Sequence, residues 1–195
     1  MAPKTWAPED RPLFLDEALA AQQQQQQPTN ITKHFSCVFH VAGDGRTLLG
    51  HKKTSSEFSC VGKVDGFGGR VVPGEHPRDS ALRCWDAETG TTGRADTLQP
   101  VGEVIVVLKG QQPQTEVWHN HIFLIGGFAG PPRETSAMAP QWYGIEEVPY
   151  QRMWADLAHW LPRALAWRAG RPRFRGLYAL EGGECVWGSL EDMHD

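Results

Sequence analysis

The sequence predicts an α/β protein, folded as an α/β/α sandwich around a mixed sheet. Short segments rich in β-branched and apolar residues alternate with two segments of helical periodicity. The length of 195 residues fits one domain, and a hydrophobic fraction of 40% is sufficient for its core. Strands that flank two helices give a mixed α/β/α sandwich, although propensity alone does not select this architecture.

Residues 1–32 are expected to form a disordered N-terminal extension, and residues 33–195 the folded domain. The extension contains an unbroken glutamine run, Gln22–Gln27. Such a low-complexity tract does not need to pack against a core. Leu13–Leu19 carries enough apolar side chains for a short helix, so a docking helix is the alternative to a disordered leader.

The strands of the domain are predicted from apolar and β-branched composition. A turn at Gly43–Gly45 is predicted to close the first hairpin, because glycine permits the positive φ that tight turns require. The predicted strands are Phe35–Val41, Thr47–Lys52, Val101–Leu108, Val117–Ile125, Trp142–Val148, Phe174–Leu180 and Cys185–Ser189.

Two helices are predicted. The first covers Arg78–Glu88, because Pro77 suits its first turn and Gly90 suits its end. The second covers Met153–Trp167, where leucine and aromatic residues recur at helical spacing, with a bend at Pro162.

Charge and composition argue against several classes of function. A formal net charge of −4 provides no broad basic surface for polymeric nucleic acid. The sequence has no apolar run of membrane-spanning length, no apolar signal-peptide core and no paired-cysteine metal motif among its four cysteines. We therefore expect a cytoplasmic monomer with reduced thiols that binds a small-molecule ligand.

The most specific motif combines a glycine-rich loop with the first predicted helix. Gly69, Glu75, Arg83, Glu88 and Gly90 stand at the offsets of the Nudix box. The chain resembles the Nudix hydrolase superfamily on these residues, and the resemblance implies a Nudix-type sandwich. In the family, helix carboxylates bind Mg²⁺ or Mn²⁺ on a diphosphate, and the residues matching Glu75 and Arg83 brace the loop against the helix.

The box departs from the family pattern at two metal-ligand positions. Cys84 and Ala87 stand where the family has glutamates, and Asp86 is two residues from Cys84, about 200° around the helix. The resemblance places a further loop glutamate at Ala137, whereas Glu134 is three residues earlier. The predicted metal ligands are therefore limited to Glu88 and the backbone of Gly69. The predicted catalytic residues are Glu88, Glu134 and Cys84.

Segments outside the box resemble one branch of the superfamily, the oxidised purine nucleoside triphosphatases (8-oxo-dGTPases). These segments are Leu48–Lys53, Asp65–Gly69 and Val148–Asp156, followed by Trp160, Pro162, Phe174, Gly176 and Tyr178. In that branch a tryptophan stacks on the purine, while two adjacent acids and an asparagine read its edges.

The resemblance assigns substrate-binding roles in this sequence. Trp154 matches the stacking tryptophan and Asp156 one acid, whereas Leu157 replaces the second acid and Asp65 the asparagine. The remaining assigned residues are the pocket lysine Lys52, the aromatic wall Phe58, and Gly68 and Gly69 of the glycine-rich loop. Without the resemblance, Trp154 is interpreted as a core residue and Asp156 as an acid on the helix surface.

Three hypotheses follow. The first is a Nudix domain with impaired hydrolysis that binds a nucleotide-like or flat aromatic ligand, or a partner. The second is a working hydrolase whose reduced site holds Mg²⁺ or Mn²⁺. The third is a repurposed, metal-independent enzyme for a non-nucleotide substrate, with Cys84, Glu88, Asp65, Asp156, His51 and His121 as candidate groups. A small apolar filler is the alternative role for Cys84.

Overall fold

A computed structural model describes residues 5–24, 30–54, 61–110 and 115–193. Its helices are α1 (Leu13–Gln24), α2 (Pro77–Thr89) and α3 (Leu157–Leu165). Its strands are β1 (Asn30–Val41), β2 (Arg46–Lys52), β3 (Val64–Asp65), β4 (Phe67–Arg70), β5 (Thr92–Gly93), β6 (Leu98–Lys109), β7 (Thr115–Ile125), β8 (Phe128–Ala129), β9 (Met138–Gly144), β10 (Phe174–Glu181) and β11 (Glu184–Asp192).

The main sheet is mixed, as predicted. Its strand order is β11-β10-β6-β7-β1-β2-β3, with β4 paired to β1 and β9 paired to β2. The pairs β1–β7 and β6–β10 are parallel, and the other pairs of this sheet are antiparallel. Strands β5 and β8 form a small separate ribbon.

Helices cover both faces of the sheet. Adjacent residues of a strand point to opposite faces. Phe39 packs in the hydrophobic cluster that contains the α3 residue Leu161, whereas its neighbour Val38 packs with Trp85 of α2. Val107 on β6 packs with Leu15 of α1. The predicted α/β/α sandwich is therefore confirmed, with α3 on one face and α1 and α2 on the other.

Helix α2 begins and ends where its local sequence predicts. Pro77 occupies its first turn, and the His76 side chain accepts a hydrogen bond from the Arg78 N–H. Gly90 ends the helix at a φ of 65°, a left-handed conformation that glycine adopts without strain. The buried face of α2 includes Ala81 and Trp85, which fix the orientation of the whole box against the sheet.

The N-terminal segment forms helix α1 over Leu13–Gln24, so these residues are not a disordered leader. Leu15 is fully buried and packs against Val107, Val117 and Trp187. Burial of this apolar face stabilises α1 on the sheet, which is the docking-helix alternative. Gln25–Gln27 lies outside the described residues, and the domain boundary at residue 32 stays a prediction.

The second predicted helix begins later than expected. Met153 is extended, with φ −104° and ψ −178°, and follows a 3₁₀ turn at Tyr150–Arg152, so α3 starts only at Leu157. Trp154 consequently precedes the helix, and Pro162 lies inside it. The Gly182–Gly183 turn joins β10 to β11 in a hairpin, with positive φ at both glycines.

The predicted strand at Trp142–Val148 is displaced in the structure. Strand β9 covers Met138–Gly144, and Ile145–Glu147 forms a 3₁₀ turn. The cause is the pairing of β9 with the whole of β2, from Lys52↔Met138 to Arg46↔Gly144. None of the helices in the described ranges combines the length and apolar character required to cross a membrane.

Candidate ligand-binding cleft

A cleft of about 410 Å³ opens beside the glycine-rich loop. Its walls are built from β1, β2, β3, β4, β6, β7, α2, the start of α3 and the segment that precedes α3. The structure brings eight of the predicted site residues together in its lining: Lys52, Asp65, Gly68, Gly69, Cys84, Glu88, Trp154 and Asp156.

Other candidates lie elsewhere. Glu134 is outside the cleft lining, and its Oε1 atom is 2.7 Å from Nζ of Lys53 in an exposed ion pair. Ala137 does line the cleft. His51 is also outside the lining, where its Nε2 atom is 2.6 Å from the Tyr143 hydroxyl. Phe58 falls within residues 55–60, outside the described ranges.

Glu88 is held at the base of the cleft by two partners. Its Oε1 atom is 3.2 Å from the Lys52 ammonium, and its Oε2 accepts a 2.8 Å hydrogen bond from the Gly68 N–H. Burial raises the pKa of Glu88, although both partners oppose this effect. Burial lowers the pKa of Lys52, but the negative charges of Glu88 and Asp65 outweigh this effect, so the pKa of Lys52 is raised.

Gly68 permits the close approach that makes this hydrogen bond possible. A Cβ atom at this position would lie 2.0 Å from the backbone oxygen of Ser36 on the paired strand β1. Only glycine fits without displacing one strand. The glycine-rich sequence therefore positions a backbone donor on Glu88.

The outer side of the box is braced by an ion pair. Arg83 donates from Nε and Nη2 to the two carboxylate oxygens of Glu75, both at 2.7 Å. These hydrogen bonds lower the pKa of Glu75 to about 2. Arg83 also donates to the Arg70 carbonyl, so it links the loop to the helix.

The residues on the cleft side of α2 do not fit a magnesium site of several carboxylates. Cys84, Ala87 and Glu88 line the cleft, and among the described residues of this helix only Glu88 presents a carboxylate there. Magnesium requires oxygen ligands in near-octahedral geometry, and a thiol is a poor substitute. Glu88 is already engaged by Lys52 and Gly68.

Aromatic side chains form the opposite end of the cleft. Trp154 is partly buried and meets Trp118 edge to face, with ring centroids 5.3 Å apart. The ammonium of Lys63 lies 4.8 Å from the centroid of the Trp154 ring. A flat ligand can stack on such a surface.

Two carboxyl groups lie between the aromatic end and Glu88. Asp156 is 4% exposed, accepts a 2.7 Å hydrogen bond from the Trp160 indole N–H, and has its pKa raised to about 6 by burial. Asp65 accepts a 2.7 Å hydrogen bond from the Gly66 N–H, and burial raises its pKa. Asp156 is therefore not a surface acid. Leu157 contributes an apolar wall beside it.

Several lining residues were missed by the sequence interpretation. Trp118, Asn120 and Ile122 alternate along β7 and share the face that lines the cleft. The polar Asn120, placed between two large apolar residues on one strand face, could have indicated that this face lines a binding site. His121 lies between Asn120 and Ile122 on β7, so its side chain projects from the opposite face of the sheet, away from the cleft.

Comparison with known proteins agrees with this architecture. The NUDIX domain family model matches residues 31–164. The oxidized purine nucleoside triphosphate hydrolase of Danio rerio is 36% identical over 146 residues, covering 75% of this chain and 86% of the relative. The protein of the same name from Mus musculus is 35% identical over 120 residues, covering 62% and 72%.

Solved structures share the fold at low sequence identity. A MutT protein from Bacillus halodurans superimposes with a TM-score of 0.65 at 16% identity, covering 82% of this chain and 97% of the other. The E. coli ORF135 protein gives a TM-score of 0.54 at 21% identity, covering 75% and 97%. The family model over residues 31–164 and the relative that is 36% identical show that the chain belongs to the NUDIX domain family.

Proposed function

We propose that this chain binds an oxidised purine nucleotide, or a similar flat heterocycle, in the cleft and that its metal-dependent hydrolysis is impaired. The observation that carries the proposal is the state of Glu88. This carboxylate stands beside Cys84 and Ala87 and is engaged by Lys52 and the Gly68 N–H. The structure therefore supports a site that keeps a ligand-sized cleft but has lost most of the anionic charge that attracts Mg²⁺ or Mn²⁺.

The aromatic end of the cleft supports recognition of a heterocycle. Trp154 offers a stacking surface, and burial raises the pKa of the Asp65 and Asp156 carboxyl groups beside it. Carboxylate oxygens accept hydrogen bonds, which suits the N–H groups on the edge of a purine. Leu157 accepts none, so a partner for one edge group is lost and specificity should differ from that of the relatives.

The other end supports phosphate binding without a full metal site. Lys52 and Arg83 bring positive charge to the lining beside the Gly68–Gly69 backbone. A phosphate here would compete with Glu88 for Lys52. In this proposal Glu88 and the Gly69 backbone remain the best candidates for any residual metal contact. Glu134 contributes little to such a contact, because Lys53 holds it outside the cleft.

A metal-independent reaction through Cys84 is less well supported. The thiolate is the nucleophilic form of cysteine. Burial raises the pKa of Cys84, with Arg83 opposing, so the neutral thiol is favoured. A packing role in the wall of the cleft fits these surroundings better. A monomeric state and a cytoplasmic location stay predictions of the sequence.

Two measurements test the proposal. Hydrolysis of normal and oxidised nucleoside triphosphates with Mg²⁺ or Mn²⁺ should be slow and nearly insensitive to Glu88→Gln. Calorimetric titration with an oxidised purine nucleoside should show binding that Trp154→Leu weakens and Trp142→Phe does not, because Trp142 packs on the α2 side of the sheet. Fast turnover that Glu88→Gln abolishes would instead establish the reduced metal site as a working hydrolase.

A further inference from the structure

Three histidines meet on the sheet face opposite the cleft. His119 and His121 alternate along β7 with Trp118 and Asn120, which line the cleft, so the two histidines project from the other face. His34 on β1 is the register partner of His119 in the parallel pair. The pairing of β1 with β7 brings these side chains together although 85 residues separate His34 from His119 in the sequence.

The spacing of the three imidazoles suits a shared cation. One ring nitrogen from each histidine lies within 4.8 Å of those of the other two. The ring centroids of His119 and His121 are 4.5 Å apart, and those of His34 and His119 are 5.2 Å apart. Zinc–nitrogen bonds of about 2.0–2.1 Å place tetrahedral ligands somewhat closer together than this. Rotation about the imidazole χ2, whose energy profile is broad, can close the difference.

The histidine nitrogens are suited to receive a metal. Nε2 of His119 is buried and makes no hydrogen bond within the described part of the chain, while Oε2 of Glu103 is 3.4 Å away. A neutral imidazole offers its unprotonated ring nitrogen to a metal ion.

Glu103 supplies the complementary charge. It is the register partner of His121 on β6 and lies beside His119. A carboxylate in this position either completes a tetrahedral set or accepts a hydrogen bond from a metal-bound imidazole.

We propose that His34, His119 and His121 form a site for one divalent first-row cation, for which Zn²⁺ is the best match, and that Glu103 completes or orients it. Three imidazoles and a carboxylate are typical ligands of zinc, whereas magnesium prefers oxygen alone. His34 is exposed, so the site is open to solvent on one side. The proposal does not depend on the function of the cleft.

The test is a Zn²⁺ titration of the full chain in competition with a chromophoric chelator. We expect one equivalent of Zn²⁺ to bind, and His34→Gln to weaken binding by at least about 10-fold. Because His34 is exposed, this variant should fold normally, and His121→Gln should show the same loss. The control is His51→Gln, which removes a histidine outside the cluster and should bind Zn²⁺ as the parent does.

Cobalt distinguishes histidine from cysteine as the source of ligands. Co²⁺ bound at the cluster should give the visible absorption of a tetrahedral nitrogen and oxygen site without thiolate charge-transfer bands. Thiolate bands would place the metal on cysteine and overturn the proposal. So would the absence of saturable Zn²⁺ binding, or equal affinities for the parent, His34→Gln and His121→Gln.

Discussion

Two glutamates of the box, Glu75 in the loop before α2 and Glu88 on α2 itself, are in opposite electrostatic situations. On the outer side Glu75 receives two hydrogen bonds from Arg83, and its pKa is lowered to about 2. On the cleft side Glu88 is buried and its pKa is raised, even with Lys52 beside it. The Glu75–Arg83 brace therefore links the loop to the helix through protein side chains.

The largest expected effect comes from restoring the missing charge. Cys84→Glu combined with Ala87→Glu returns carboxylates to the face of α2 that lines the cleft. We expect Mg²⁺-dependent hydrolysis of an oxidised purine nucleoside triphosphate to rise by about 1000-fold over the parent. Steady-state phosphate release measures it.

The matched control for that gain is the neutral pair Cys84→Gln and Ala87→Gln, which changes size but not charge. Equal rates for the glutamate and glutamine pairs would show that missing charge is not what limits hydrolysis.

Gly68→Ala tests the close approach that supports Glu88. The new Cβ would lie 2.0 Å from the Ser36 backbone oxygen, so β4 and β1 must separate. We expect the free energy of unfolding to fall by about 4 kcal/mol, measured by urea denaturation. Gly43→Ala is the control, because its Cβ would meet no atom within 4 Å. Similar losses in both variants would contradict this explanation.

The free energy of unfolding should depend on pH with opposite signs for Glu75 in the brace and for Asp156 in the cleft. Glu75 has a folded pKa of about 2 and a reference value of 4.5, so its stabilisation is present above pH 4.5 and is lost as the pH falls through 2. Asp156 has a folded pKa of about 6 and a reference value of 3.8, so its stabilisation is present below pH 3.8 and is lost as the pH rises through 6.

Denaturation curves of Asp156→Asn and Glu75→Gln between pH 3 and 7 check these signs, because this range spans the Asp156 window from 3.8 to 6 and the upper part of the Glu75 window from 2 to 4.5. Relative to Asp156→Asn, the parent should lose about 3 kcal/mol over the range as the pH rises. Relative to Glu75→Gln, the parent should gain stability as the pH rises. A common sign for both differences would refute the contrast.

The smallest expected effect is the coupling between Lys52 and Glu88. A double-mutant cycle with Lys52→Met and Glu88→Gln should give a coupling energy of about 1.5 kcal/mol, because each single change leaves a poorly solvated partner. The exposed pair Lys53–Glu134 provides the matched control and should show no measurable coupling. Absence of coupling in the buried pair would mean that Glu88 is neutral in the folded protein.

Much of the box could be predicted because its rules are local. Pro77 and Gly90 mark the two ends of α2, and the fixed offsets of Glu75 and Arg83 indicate the brace. The end of the cleft before α3 was harder to predict. Trp154 and Asp156 were expected on a helix, but the extended Met153 delays its start. The burial of Asp156 depends on packing around Trp160, which helical periodicity does not specify.

The sequence by itself determined the family, the order of the main elements and the presence of Cys84 and Ala87 on the box helix, because these depend on residue type and short spacing. Only the tertiary structure decided that Lys52 meets Glu88, that α1 packs on the sheet, and that His34 joins His119. Those contacts join residues distant in the chain. Burial then sets the pKa values, because desolvation depends on what surrounds a group in space rather than on its neighbours in sequence.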